Sequence, residues 1–426
     1  MYLSTVSRPA DDPPGPARRG RRFALVSGNV VALGTVSLIT DVSAEMVAAV
    51  LPLYLVLGLH LSPVAFGLLD GVHTGATALL RVVGGFLADR FRRRKLVAGV
   101  GYALSAVAKL GLLLAGRSVP AIGAVIAVDR LGKGIRSAPR DALITLSTPP
   151  EALGRAFGVH RAMDSVGAFL GPLAAFAVLL VVGQSYDAVF VTSFCVAALA
   201  VVVLVLFVRE RTPEEPADGG GEPTVSVREA FGLFRAAPAR RLVLAAALLG
   251  LATIGDGFVY LLLQRREDLG LRWFPLLAVG TSLAYLLLAA PLGVLADRIG
   301  RLPVVVGGYT ALGLTYLLLA GPVDGLPLIA LTLTLYGAFY AATDGVLIAL
   351  AGPVLPARLR TTGIALVQTG QALAYLVSSV LFGLAWQVWG PENAVRAAAV
   401  AVAAVLAGTV LLLAPPIRST TRKVPR

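Results

Sequence analysis

The sequence predicts an all-α membrane protein, with twelve transmembrane helices arranged as two pseudo-symmetric six-helix bundles. Three observations lead there: a composition suited to lipid, twelve apolar segments of crossing length, and one loop motif that recurs at half-chain distance.

Of 426 residues, 57% are hydrophobic and 14% charged, too apolar a balance for a surface facing water. The single Cys195 excludes a disulfide framework, and within the apolar run 190–208 it is expected to be a small buried thiol. The formal charge of +13 raises the question of nucleic acid. Such a binder collects its basic residues on one soluble face with aromatics among them. Here they sit between apolar spans, so nucleic acid is excluded and membrane lipid is the expected surrounding. The basic, Pro-rich start through Arg22 runs into an apolar stretch long enough to cross, which is expected to stay rather than be cleaved.

A crossing helix needs about 20 mostly apolar residues. The first six candidates are roughly 27–58, 64–88, 96–116, 119–138, 156–183 and 187–208. The second six are roughly 242–264, 273–296, 302–321, 326–351, 361–388 and 393–415. An even number puts both termini on one side. Basic clusters in the N-terminal tail, at Arg90 to Lys95, at Arg136 and Arg140, from Arg209 to Arg241, at Arg298 and Arg301, at Arg358 and Arg360, and in the C-terminal tail fall on alternate loops. The opposite loops carry little beyond Arg117, Arg396 and the exception Arg265, Arg266 and Arg272. The positive-inside rule then places both termini in the cytoplasm, with the chain in the inner (plasma) membrane.

The organisation expected is a cytoplasmic tail over 1–24, a first bundle over 25–208, a linker over 209–241, a second bundle over 242–416 and a cytoplasmic tail over 417–426. The linker holds Glu214, Glu215, Pro216 and Gly219 to Gly221 but no membrane-length apolar run. Its Val225, Val227, Ala230, Phe231 and Phe234 suggest a short amphipathic helix on the membrane surface. After the second span the chain reads Gly85-Phe-Leu-Ala-Asp89-Arg90-Phe-Arg-Arg-Arg-Lys95, and after the eighth Gly293-Val-Leu-Ala-Asp297-Arg298-Ile-Gly300-Arg301. One motif at one place in each half is the signature of a duplicated bundle. Gly permits close helix packing, Asp ends the helix where it can pair with basic groups, and Arg anchors the polar face.

Together these features resemble the major facilitator superfamily of secondary transporters, over nearly the whole chain from about residue 25 to 416. The first loop copy departs from the family in having Arg92 where Gly is usual, whereas the second keeps Gly300. Asp129-Arg130-Leu-Gly-Lys133-Gly134 in span four looks like the family's proton-linked arginine motif, with Lys133 in place of the usual Gln. Gly167-Ala-Phe-Leu-Gly171-Pro172 in span five is similar to the Gly-Pro motif of antiporters, with Ala174 and Ala175 where further glycine is common. The resemblance implies secondary active transport of a small solute by a monomer, with no cofactor. The antiporter-like motif leans towards proton-coupled efflux of a drug-like or metabolite substrate. A proton-coupled importer of a small polar solute, or a transporter-like sensor without flux, is the alternative.

An ionisable residue at bilayer depth costs several kcal/mol and is expected to face a cavity or a partner. Asp41 lies in span one and Asp256 in span seven, Asp129 and Arg130 in span four and Asp344 in span ten. In the family the first and fourth helices of each half line the central cavity, which implies one aqueous path for these groups. Arg136, Tyr260, Gln368 and Gln371 are candidates for contact with substrate there. Asp41 and Glu45 are one turn apart, and two carboxylates so placed in a low dielectric resist ionising together, which suits a carrier that takes up and releases protons. Arg130 would oppose them, and a structural ion pair between spans one and four is the alternative reading. His160 and Asp164 read as a gate-side salt bridge. Asp70 and His73 lie near the outer end of span two, where solvation is expected. Arg81 and Lys109 are close enough to helix ends to snorkel.

An ATP-driven pump needs a phosphate-cradling loop, and Gly132-Lys133-Gly134 lacks both the Gly five residues before the Lys and a following Ser or Thr. His60, His73 and His160 have no metal-ligand spacing, and no Ser nucleophile elbow is present, so neither a metal site nor an enzyme is expected. For the paired loop motif, loss of Asp89 or Asp297 is expected to slow conformational exchange more than it weakens substrate affinity. Equal loss of binding in both variants, measured by equilibrium titration, would contradict a gating role.

Overall fold

The computed structural model describes residues 27–75, 93–149, 152–183, 185–210, 237–344 and 360–413. The two tails, most of the linker with its surface helix, and the first loop motif with Gly85, Asp89 and Arg90 lie outside the described residues.

Helices occupy all twelve expected positions. In the first half they are α1 (Gly28–Leu53), α2 (63–75), α3 (Arg94–Leu114), α4 (Val119–Leu146), α5 (Leu153–Val181) and α6 (Tyr186–Phe207). In the second half the seventh span is two helices, α7 (Ala237–Leu251) and α8 (Asp256–Glu267). They are followed by α9 (Pro275–Ile299), α10 (Arg301–Ala320), α11 (Gly325–Thr343), α12 (Arg360–Trp389) and α13 (Pro391–Leu413). Serines start several of them: Ser27, Ser118 and Ser185 each accept a bond from the backbone N–H three residues on. Pro52 cannot donate to the ladder of α1, and the helix leaves through a π turn, Tyr54–Gly58.

Among the described residues, ten segments are long and apolar enough to cross a membrane. α2 is described only in part, and α4 is interrupted by Asp129, Arg130, Lys133 and Arg136. The outer surface is apolar, with Leu114 at 88% and Val181 at 82% exposure, as expected where lipid rather than water solvates the chain. Cys195 belongs to that surface: it is exposed, not buried as its apolar run suggested, because in a membrane helix an apolar position can face lipid as well as core.

The two halves use the same pairings. α1 packs on α5 and α6, and α3 on α4 and α6. In the second half α7 packs on α12 and α13, and α10 on α11 and α13. The near end of the bundle is the one at which α1 begins, and the far end the one at which it finishes.

The halves meet at the far end through two helix pairs, α5 with α9 and α2 with α12. Leu376 of α12 seats against Gly71 and Gly75 of α2, and the Gly67 backbone lies so close to the Ser379 carbonyl that a Cβ has no room. Phe66 of α2 stacks edge-on to Phe258, at 4.7 Å between centroids, and Phe258 in turn meets Phe382 and Trp386. Phe176 of α5 contacts Trp273 at 5.6 Å, beside the start of α9. At the near end, Gly154 and Gly158 of α5 and Gly293 of α9 have no such neighbour among the described residues. The contacts between the halves among the described residues are thus gathered at the far end.

Arg266 explains one of the basic residues on the otherwise poor loops. Its guanidinium donates to the Leu318, Leu319 and Gly321 carbonyls that finish α10 and to Asp324, at 2.8 Å for Leu319 and 2.7 Å for Asp324. It caps a helix at the far end.

Candidate transport site

In the first half the charges of α3 and α4 are gathered behind α1. Gly101 and Gly132 leave the two backbones in close approach, which brings Ser105 and Lys109 within reach of Asp129. The Ser105 hydroxyl donates to Asp129 Oδ1 at 2.7 Å, Lys109 Nζ lies 3.5 Å from the same oxygen, and Arg130 Nε donates to Oδ2 at 3.0 Å. Lys109 does not snorkel. It is 4% exposed and also donates to the Ser105 carbonyl at 3.0 Å, because α4 offers it a carboxylate that the membrane surface does not. A cavity of about 30 Å³ lies beside this cluster, lined by Lys109, Asp129, Arg130 and His73 with apolar residues of α1, with room for about two waters. Arg136 is buried and lies over the Tyr102 ring at 4.7 Å.

On the facing side of α1, Asp41 and Glu45 are half-buried, one turn apart. Gly167 and Gly171 of α5 press against this turn: a Cβ on Gly171 would meet the Glu45 Cβ at 2.5 Å, and one on Gly167 the Asp41 Cβ at 3.1 Å. Pro172 follows within α5. Arg130, expected to oppose this acidic pair, is turned onto Asp129 instead, and Lys133 lies half-buried one turn further along α4.

In the second half the seventh span breaks between Leu251 and Asp256, where the sequence suggested a continuous helix. The freed backbone is satisfied locally: the Tyr316 hydroxyl accepts from Ile254 N–H at 3.0 Å, and the Thr253 hydroxyl donates to Leu249 O at 2.9 Å. Asp256 opens α8 and its Oδ1 accepts hydrogen bonds from Tyr336, at 2.7 Å, and from Tyr340. Tyr260, 7% exposed, meets Tyr336 edge-on at 6.3 Å. Gln371 of α12 lies by Tyr309 and Thr253 behind the break, and Gln368 is half-buried one turn before it.

The structure therefore brings Asp41, Glu45, Lys133, Asp256 and Tyr260 to the junction of the halves, with Asp129 and Arg130 one layer behind. Other sequence candidates lie elsewhere. Asp344 ends α11, exposed, and accepts from the Tyr285 hydroxyl at 3.1 Å. Asp297 and Arg298 are exposed at the end of α9. His160 Nδ1 and Asp164 are 3.3 Å apart, and His160 Nε2 and the Ser37 hydroxyl 3.1 Å, in the near third of α5. Sequence reasoning missed Tyr336 and Tyr340, although their i, i+4 spacing on a crossing helix puts two hydroxyls on one face. It also missed the role of Gly67, Gly71 and Gly75, whose four-residue spacing marks a close helix contact.

A duplicated bundle of lipid-facing helices whose halves meet at one end and carry acid groups of both halves at their junction is the build of a membrane transporter. The chain matches the Major Facilitator Superfamily model over residues 33–281 and 266–426, and it belongs to that family. It is 30% identical over 375 residues to an uncharacterised MFS-type transporter of Methanocaldococcus jannaschii, covering 86% of this chain and 90% of the relative. Among solved structures it is similar to the nucleoside transporter NupG, with a TM-score of 0.77 at 13% identity over 91% of this chain and 100% of that one. It is also similar to a POT family transporter in complex with 5-aminolevulinic acid, with a TM-score of 0.72 at 14% identity over 90% and 96%. These likenesses establish a multi-pass membrane transporter of the superfamily fold.

Removing one partner of a buried ion pair strands the other charge. Lys109→Met alone is therefore expected to lower the thermal midpoint in detergent more than the Lys109→Met, Asp129→Asn double variant does. A double variant that melts at or below the single one would contradict the pairing.

Proposed function

We propose that this chain is a proton-coupled secondary transporter that exports a small drug-like or metabolite solute from the cytoplasm by alternating access. The observation that carries this reading is the placing of half-buried carboxylates of both halves on helices that pack on each other, Asp41 and Glu45 on α1 and Asp256 at the start of α8, with the halves in contact at the far end. A carboxylate pair within one turn, Asp41 and Glu45, is suited to holding one proton between two groups. Both groups are half-buried at the contact of the halves, so substrate and proton can compete for one place. In the other half, two tyrosine hydroxyls fix the Asp256 carboxylate in position while leaving it half-exposed. Arg136, Tyr260, Gln368 and Gln371 are the further candidates for contact with the solute.

The direction rests on the Gly167–Gly171–Pro172 motif, which brings α5 against the carboxylate-bearing turn of α1, so that a change at Asp41 or Glu45 bears directly on a helix that also forms the far-end contact. The near end is read as cytoplasmic, with both termini there, and the working unit as a monomer in the plasma membrane. On that reading a form open at the near end is the loading state for an exporter. Asp129 with Arg130 and Lys109 is read as a fixed electrostatic base that holds α4 in register, and the Asp297–Arg298 loop as a near-end staple when the halves close there.

In proteoliposomes of purified protein loaded with a pH-sensitive dye, a substrate from a panel of cationic, zwitterionic and anionic solutes is expected to evoke proton movement opposite to its own. Asp41→Asn should abolish transport driven by a pH gradient and keep solute exchange. Gradient dependence unchanged in Asp41→Asn would remove the acidic pair from the mechanism, and proton movement in the same direction as the solute would replace export with import.

A further inference from the structure

Asp70 was expected near the outer end of its span and solvated. It is instead half-buried between the halves. Its Oδ2 accepts a hydrogen bond from the Ser379 hydroxyl at 2.6 Å and another from the Tyr375 hydroxyl at 3.0 Å, both from α12 of the other half. These bonds lie within the far-end contact, one residue from Gly71, against which Leu376 seats. The carboxylate also reaches the break in the seventh span: Gly255, the residue that caps α8, lies so close to Asp70 Oδ2 and the Tyr375 hydroxyl that any Cβ there would displace them. Asp70 thus touches three elements, its own helix, α12 and the N-terminus of α8, and ties one half to both of the others.

An ionised carboxylate accepting two hydroxyls makes charge-assisted bonds roughly twice as strong as neutral ones, and the N-terminus of a helix favours negative charge. A protonated carboxyl loses both advantages. The titratable groups that face it are Tyr375 from α12 and Asp256 from α8 of the opposite half, whereas His73, on its own helix, lines the cavity beside Asp129.

Resting on the alternating-access reading above, we propose that Asp70 is a proton-binding latch: ionised, it holds the halves together at the far end through Ser379 and Tyr375, and on binding a proton from solution it lets the far end open. Asp41 and Glu45 then serve the cavity, while Asp70 decides which side the cavity faces. Protonation weakens the closed form, so lower pH shifts the far end towards open. The same proton leaves when the far end closes and the hydroxyls return.

The test is distance measurement by pulsed electron paramagnetic resonance in liposomes, on a Cys195→Ser background with spin labels at two pairs of positions. Arg117→Cys with Glu392→Cys reports the far end and Pro149→Cys with Ile299→Cys the near end, all four residues being exposed. Without Asp70 changes, the far-end pair is expected to lengthen and the near-end pair to shorten on going from mildly alkaline to mildly acidic pH. Asp70→Asn, which keeps size and loses charge, should raise the open-to-closed ratio at the far end by about tenfold at alkaline pH and flatten its response to pH. Ser379→Ala with Tyr375→Phe should open the far end in the same direction and serves as a second variant that leaves Asp70 in place. Reciprocal movement in the parent that persists unchanged in both variants overturns the latch and leaves alternating access standing. If neither pair moves in the parent at any pH or in any variant, alternating access fails, and the latch with it.

Discussion

A charge at bilayer depth must be paired or wet, and the rest of this structure follows from that constraint. The first half meets it by pairing: Asp129 receives Ser105, Lys109 and Arg130 together, in a layer that two facing glycines make thin enough to close. The carboxylates Asp41, Glu45 and Asp256 are left half-buried on α1 and α8, which pack on each other across the halves. Groups left in that state require water or a ligand, and on the proposed alternating-access reading the junction supplies both.

The junction in turn depends on how cheaply the far end can part. Its contact is made of small residues, aromatic edges and a pair of hydroxyl bonds to one carboxylate, with no interlocked salt-bridge network among the described residues. The broken seventh span concentrates several of these parts. Its four central residues give up the helical ladder, Tyr316 and Thr253 replace the lost bonds, and the new helix start places Asp256 in the site and Gly255 against Asp70. Discontinuous helices at a repeat interface are a recurrent way of building transporter sites, and on the proposed reading the break serves both site and gate.

The twelve spans, the duplication and the family were legible in the sequence because each rests on a signal longer than a helix: apolar length, alternation of basic loops, a motif repeated in both halves. The acidic residues at the centre were legible too, since any carboxylate in an apolar run is conspicuous. Partners were not. Whether Arg130 faces Glu45 or Asp129 depends on a rotation of less than a turn, and it is bonded to Asp129. Lys109 looked like a helix-end lysine because its partner lies 20 residues away on another helix. The break at Thr253-Ile-Gly255 was hidden inside a run whose hydropathy suits one crossing helix. The contact of Asp70 with Tyr375 and Ser379 spans more than 300 residues, beyond the reach of any local pattern.

The central claim is that one site is reached from one side at a time. Single cysteines at Ser137 on α4 and at Gln368 on α12, in a Cys195→Ser background within oriented vesicles, test it with a thiol reagent that does not cross lipid. At rest both positions should react from the near side alone, and reaction from the far side should appear only when a proton gradient drives the cycle. Reaction from both sides at once would indicate a continuous pore, and reaction from the near side alone under every condition would contradict alternating access.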